Sequence, residues 1–144
     1  MFKHVLLPTD GSELSRKATT AAIDFAKSSG ATITAFTFMD EYPFLQSSDA
    51  SHQTRRAFEE HAAAEARARL NQIVAEAKAE SVTCGTDMTT SSTPYKDIVE
   101  AAIRHGCDVI FMASHGRRGL AGLLVGSETQ KVLTHCTIPV LVYR

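Results

Sequence analysis

The sequence predicts a single α/β domain: an open parallel five-stranded sheet with helices on both faces. Two observations lead there. Short apolar runs and stretches of helical period alternate along the 144 residues, and right-handed crossovers turn that order into a parallel sheet. One run, Asp108-Val109-Ile110-Phe111-Met112-Ala113, is nearly all apolar, as a strand buried on both faces must be. The length suits one domain over residues 1–144, with no internal repeat and no linker.

Each element has its own signal. His4-Val5-Leu6-Leu7 ends at Pro8 and runs into Thr9-Asp10-Gly11-Ser12, a buried strand closed by a turn. Leu14, Ala18, Ala21, Ala22 and Phe25 recur at helical spacing, with Ser12 or Asp10 to cap the start and Gly30 to supply a left-handed residue past the end. Ala31 to Met39 is rich in β-branched and aromatic residues, a second strand. Residues 40–54 form a long polar connection, a lid candidate or a disordered loop. A long helix follows near Arg55–Ala79, with Phe58, Ala62, Ala66, Leu70, Ile73, Val74 and Ala77 as its apolar stripe. Glu65 and Arg69, four apart, read as a pair on its wet side.

Val82–Thr89 is a weaker strand. Thr93-Pro94 opens a third helix, with Thr93 as cap and Pro94 in the first position. Tyr95, Ile98, Val99, Ala102 and Ile103 form its core face, and Gly106 ends it. After the strand to Ala113 comes a glycine-rich loop, Ser114–Gly126, then a short helix from Ser127. Pro139–Tyr143 is the last strand.

Composition narrows the function classes. Hydrophobic residues are 44% and charged residues 22%, the balance of a soluble globular domain. A net charge of -1 offers no basic excess for nucleic-acid binding. No apolar run is long enough to span a bilayer, and the opening Met1–Pro8 lacks the features of a signal peptide. Cys84, Cys107 and Cys136 form no CxxC pair, which suggests reduced thiols in a cytoplasmic protein rather than disulfides or zinc. His52, His61 and His105 are too scattered to suggest a metal site.

In open α/β sheets ligands bind beyond the carboxyl ends of strands, where neighbouring connections diverge. Two such ends carry unusual sequence: Pro8-Thr9-Asp10-Gly11-Ser12, and the stretch from Met112 through Ser114-His115-Gly116-Arg117-Arg118-Gly119 to Gly122 and Gly126-Ser127. The glycines let a ligand approach the main chain. Gly126-Ser127 leads into a helix whose first amides attract an anion, and Arg117 and Arg118 can neutralise phosphate charge. A second reading needs no ligand. Ser127-Glu128-Thr129-Gln130 fits a capping box that satisfies the helix start by itself, and Glu128 weakens the pull on an anion. Spacing alone leans to the capping box. Neither a Walker A motif nor a GxGxxG after the first strand is present.

These residues resemble the universal stress protein family over nearly the whole chain. Val5–Ser12 is similar to the family's opening strand and turn, and Ile138–Val142 to its last strand. ATP-binding members carry Gly, two residues, Gly, nine residues, then Gly and Ser or Thr. Here this is Ala113, two residues, Gly116, nine residues, Gly126-Ser127. Ala113 departs from the pattern; at the end of a strand an extended angle is expected, where alanine is harmless.

The resemblance implies sheet order 3-2-1-4-5 in a Rossmann-like, adenine nucleotide alpha hydrolase-like fold. It implies ATP or another adenine nucleotide as ligand, with Mg²⁺ held by phosphates rather than by protein side chains. Pro8, Thr9 and Asp10 would lie against adenine and ribose, with Phe38 near the base. Met112 and Ala113 would line the floor. Gly116, Gly126, Ser127, Glu128 and Thr129 would hold ribose and phosphates, joined by Arg117. It also implies a homodimer paired through Val140, Leu141, Val142 and Tyr143, which would otherwise form an unprotected edge.

Two alternatives stand beside a nucleotide-binding regulatory protein without catalytic residues. One is a family member that binds proteins and no nucleotide. The other is a serine hydrolase built on Ser114 with Glu128 and His135, whose nucleophile-elbow motif is incomplete.

Overall fold

The computed structural model describes residues 1–43, 52–90, 93–117 and 124–144. The elements are β1 (His4–Thr9), α1 (Glu13–Ser29), β2 (Thr32–Met39), α2 (His52–Ala79), β3 (Cys84–Thr90), α3 (Pro94–Arg104), β4 (Val109–Ala113), α4 (Ser127–His135) and β5 (Val140–Tyr143). All strand pairs are parallel, in the order β3-β2-β1-β4-β5.

Alternation along the strands divides the core. Val5, Leu7, Ile33, Ala35, Val109 and Phe111 pack under α1 and α2. Leu6, Phe36, Ile110 and Met112 pack under α3 and α4. The helix after β1 therefore lies on one face and the helix after β4 on the other. Their connections part at the carboxyl ends of these neighbouring strands, the place where such sheets form a crevice.

Local signals set the ends of α1. Ser12 is its N-cap, and its hydroxyl accepts from the Ser15 amide at 3.2 Å. Gly30 ends the helix with φ 69°, a left-handed angle that suits glycine. The helix α2 begins at His52, so residues 52–54 of the expected connection are helical. Of the rest of that lid candidate, residues 40–43 are described, with Tyr42 buried against Phe58 at 5.4 Å between ring centroids, and residues 44–51 lie outside the described residues. Ile103, expected in the core face of α3, is 66% exposed. The small residues Ala101 and Ala102 are fully buried there with Ile98, so the helix seats on them and turns Ile103 outward.

Candidate functional site

The turn after β1 is locked from within. Thr9 Oγ1 is hydrogen-bonded to Ser15 Oγ and accepts from the Gly11 amide at 3.2 Å. Asp10 Oδ1 accepts from the Ser12 amide at 2.9 Å. Gly11 has φ +76°, which an L side chain rarely adopts.

The start of the loop after β4 closes on this turn. The Arg117 amide donates to Asp10 Oδ2 at 2.8 Å, and Arg117 Nε donates to the Asp10 carbonyl at 2.6 Å. A β-carbon on Gly116 would stand 2.3 Å from Asp10 Oδ2. Burial pushes the Asp10 carboxyl up, but hydrogen bonds from Ser12 and from the Arg117 amide, with the Arg117 charge, leave it below its ordinary value. Arg118, Gly119 and Gly122 lie outside the described residues.

The far end of the loop returns to the same strand end. The Gly126 amide donates to the Ser114 carbonyl at 2.6 Å, and Thr129 Oγ1 donates to the Ala113 carbonyl at 3.0 Å. Gly126, at an ordinary extended angle, is the N-cap of α4 and has no side chain to cap with, and no side chain among the described residues makes a cap hydrogen bond there. The expected capping box does not form. Ser127 is already the first helical residue, and Gln130 Nε2 donates to the Val125 carbonyl at 3.1 Å instead. The Gly126–Ser114 bond places the cap one residue earlier than the Ser127 motif suggests.

Glu128 is also redirected. Its carboxylate accepts from the Tyr95 amide of α3 at 3.0 Å and from Lys131 Nζ at 3.1 Å. The negative charge at the start of α4 is thus tied to the start of α3, whose cap position Thr93 occupies.

The other expected site residues are placed as follows. Pro8 and Thr9 are buried at the end of β1. Phe38, half-buried at the end of β2, stacks edge-on to Phe36 with ring centroids 5.1 Å apart. Met112 is buried in the core beneath the cleft. Ala113 ends β4 in strand conformation, so the methyl that departs from the glycine pattern carries no backbone strain. The structure brings Asp10, Gly116 and Arg117 into contact, and Ala113 with Thr129. It shows no direct link from Phe38 to either group. Ser114 is buried, with its Oγ 3.2 Å from His115 Nδ1.

One residue escaped the sequence reading. Arg69 does not point to solvent with Glu65. Its Nη1 donates to Thr37 Oγ1 at 2.9 Å, and the wholly buried Thr37 hydroxyl donates to the Thr9 carbonyl at 2.7 Å. A β-carbon on Gly11 would meet Arg69 Nε at 2.6 Å. Burial, and then the like charge of Arg117, lower the Arg69 pKa. Arg69, bonded to Thr37, and Arg117, bonded to Asp10, both lie against the turn bearing Asp10. The only signal in the sequence was an arginine one turn before the buried Ile73, too common a pattern to single out.

A family model described as "Universal stress protein family" matches residues 1–144. The chain belongs to the universal stress protein family. Universal stress protein MJ0531 of Methanocaldococcus jannaschii is 30% identical over 144 residues, covering 100% of this chain and 83% of that protein. Among solved structures, that of hypothetical protein MJ0577 superposes with a TM-score of 0.84 at 26% identity, covering 99% of this chain and 96% of that one. A universal stress protein in complex with cAMP superposes with a TM-score of 0.72 at 25% identity, covering 99% and 97%. Among the described residues no helix is long and apolar enough to cross a membrane.

Proposed function

We propose that this family member holds an adenine nucleotide, ATP or a close relative, in the crevice between the ends of β1 and β4. In this reading it serves as a cytoplasmic regulatory module of the stress response and carries out no fast chemistry. The observation that carries the reading is the start of α4. Its N-cap is a glycine, no side chain among the described residues bonds its first-turn amides, and the nearby carboxylate of Glu128 is engaged elsewhere. The first-turn amides of Ser127, Glu128 and Thr129 then suit a phosphate, by hydrogen bonding and by the helix dipole. Arg117 adds a cation at the mouth. Asp10, Pro8, Thr9 and Phe38 lie toward the adenosine end, with Met112 and Ala113 as the floor. Mg²⁺ would be held by the phosphates and water. The relative in complex with cAMP supports an adenine ligand for this fold.

The burial of Ser114 argues against the hydrolase alternative, because a nucleophile must reach its substrate. The exposed edge of β5, with Leu141 36% exposed, suits pairing of two subunits through the last strand.

Isothermal titration with ATP and Mg²⁺ tests the reading. Heat of binding and a raised melting temperature are expected for the wild type. Both should disappear in Gly126→Asp, which sets a carboxylate at the anion site. Absence of heat and of any thermal shift with the wild type at millimolar ATP refutes it. Native mass spectrometry reports retained nucleotide and subunit number together.

A further inference from the structure

We propose that Asp10 is the tether of the glycine loop, a positioning residue that holds residues 116 and 117 against the β1–α1 turn and so sets the width of the crevice. Its two carboxylate oxygens are bonded to main-chain amides of two different segments, Ser12 at 2.9 Å and Arg117 at 2.8 Å. Arg117 closes the ring by donating Nε to the Asp10 carbonyl at 2.6 Å. These contacts join positions 107 apart in the chain. Gly116 makes the approach possible, since a β-carbon there would lie 2.3 Å from the carboxylate. The glycine at the middle of the family spacing is therefore required by Asp10 itself, whatever it also offers a ligand. An asparagine at position 10 keeps one acceptor and turns the other into a donor facing an amide, so it can serve only one of the two segments. The consequence for affinity rests on the nucleotide reading; the tether itself does not.

The full-length protein free of nucleotide provides the test. Amide hydrogen exchange at Arg117, and trypsin cleavage after Arg117, are compared among wild type, Asp10→Asn and Gly116→Ala. Both processes follow the population of the opened segment. Both variants should accelerate both processes about tenfold or more, with exchange at Leu6 and Ile110 unchanged. Gly116→Ala keeps every charge, so it separates loss of the tether from loss of a carboxylate. Unchanged rates at 117 in both variants overturn the proposal, and so does acceleration spread evenly through β1 and β4. Titration with ATP, AMP and GTP distinguishes the two readings. Loss of the tether weakens all three in parallel. An altered preference for adenosine over guanosine without loosening at 117 makes Asp10 a ligand contact only and removes the tether. Loosening at 117 in both variants, with a wild type that takes up no nucleotide, keeps the tether and ends the nucleotide reading.

Discussion

Substituting Gly11 with alanine imposes two costs that come from different places. The backbone angle of +76° is retained by the surrounding turn, and holding an L residue there costs about 1 kcal/mol. The new β-carbon also falls 2.6 Å from Arg69 Nε. The guanidinium must swing away, giving up its bond to Thr37, worth about 1 kcal/mol. The expected loss is about 2 kcal/mol, which moves a urea midpoint by roughly 1 M at a typical slope. A double-mutant cycle with Arg69→Ala separates the two parts. In the Arg69→Ala background only the angle remains to be met, so Gly11→Ala should cost about 1 kcal/mol less there. The reasoning fails if the two substitutions add within about 0.5 kcal/mol, because the side chain would then not be the obstacle.

Acid should weaken the fold through three carboxyls. Asp10, Asp87 and Asp108 all sit below their ordinary value of 3.8: burial acts against this, but hydrogen bonds from Ser12, Arg104 and the His4 amide prevail. Their contribution is present above that value and is lost as pH falls through the lowered ones; melting curves from pH 6 to 2 should show the loss, reduced in Asp108→Asn. Asp97 has the opposite sign. Burial raises its pKa, with the charge of Glu100 adding, and its Oδ2 has no hydrogen-bond partner among the described residues. Asp97→Asn should therefore raise the melting temperature by ~2 °C at pH 7 and leave it unchanged at pH 3, as calorimetry would show. Burial, and then the charge of Asp108, push the Cys107 thiol up to about 11, so mass spectrometry after brief alkylation at neutral pH should find Cys107 unmodified in the native protein and modified in urea.

The features visible in the sequence are those set by neighbours along the chain. The alternation of elements follows from apolar period, and the ends of α1 follow from Ser12 and Gly30, each of which acts on its own helix. The features that escaped depend on distant partners. Arg69 looks like the second half of a surface pair until β2 brings Thr37 beneath it. Ser127 looks like a cap until the Ser114 carbonyl takes the Gly126 amide. Ile103 fits the helical period of a buried face, but Ala101 and Ala102 decide how that face seats. At the crevice, the glycine spacing located the loop. Only the fold shows that Gly116 faces a carboxylate from the other end of the sequence.

Glu128 binds the first turns of two helices with one side chain. Its link to the Tyr95 amide, with the Tyr95 ring 5.0 Å from that of His135 at the other end of α4, ties the start of α3 to α4 along its length. Any rotation of α4 that rearranges its opening residues must either break this link or drag Tyr95 along.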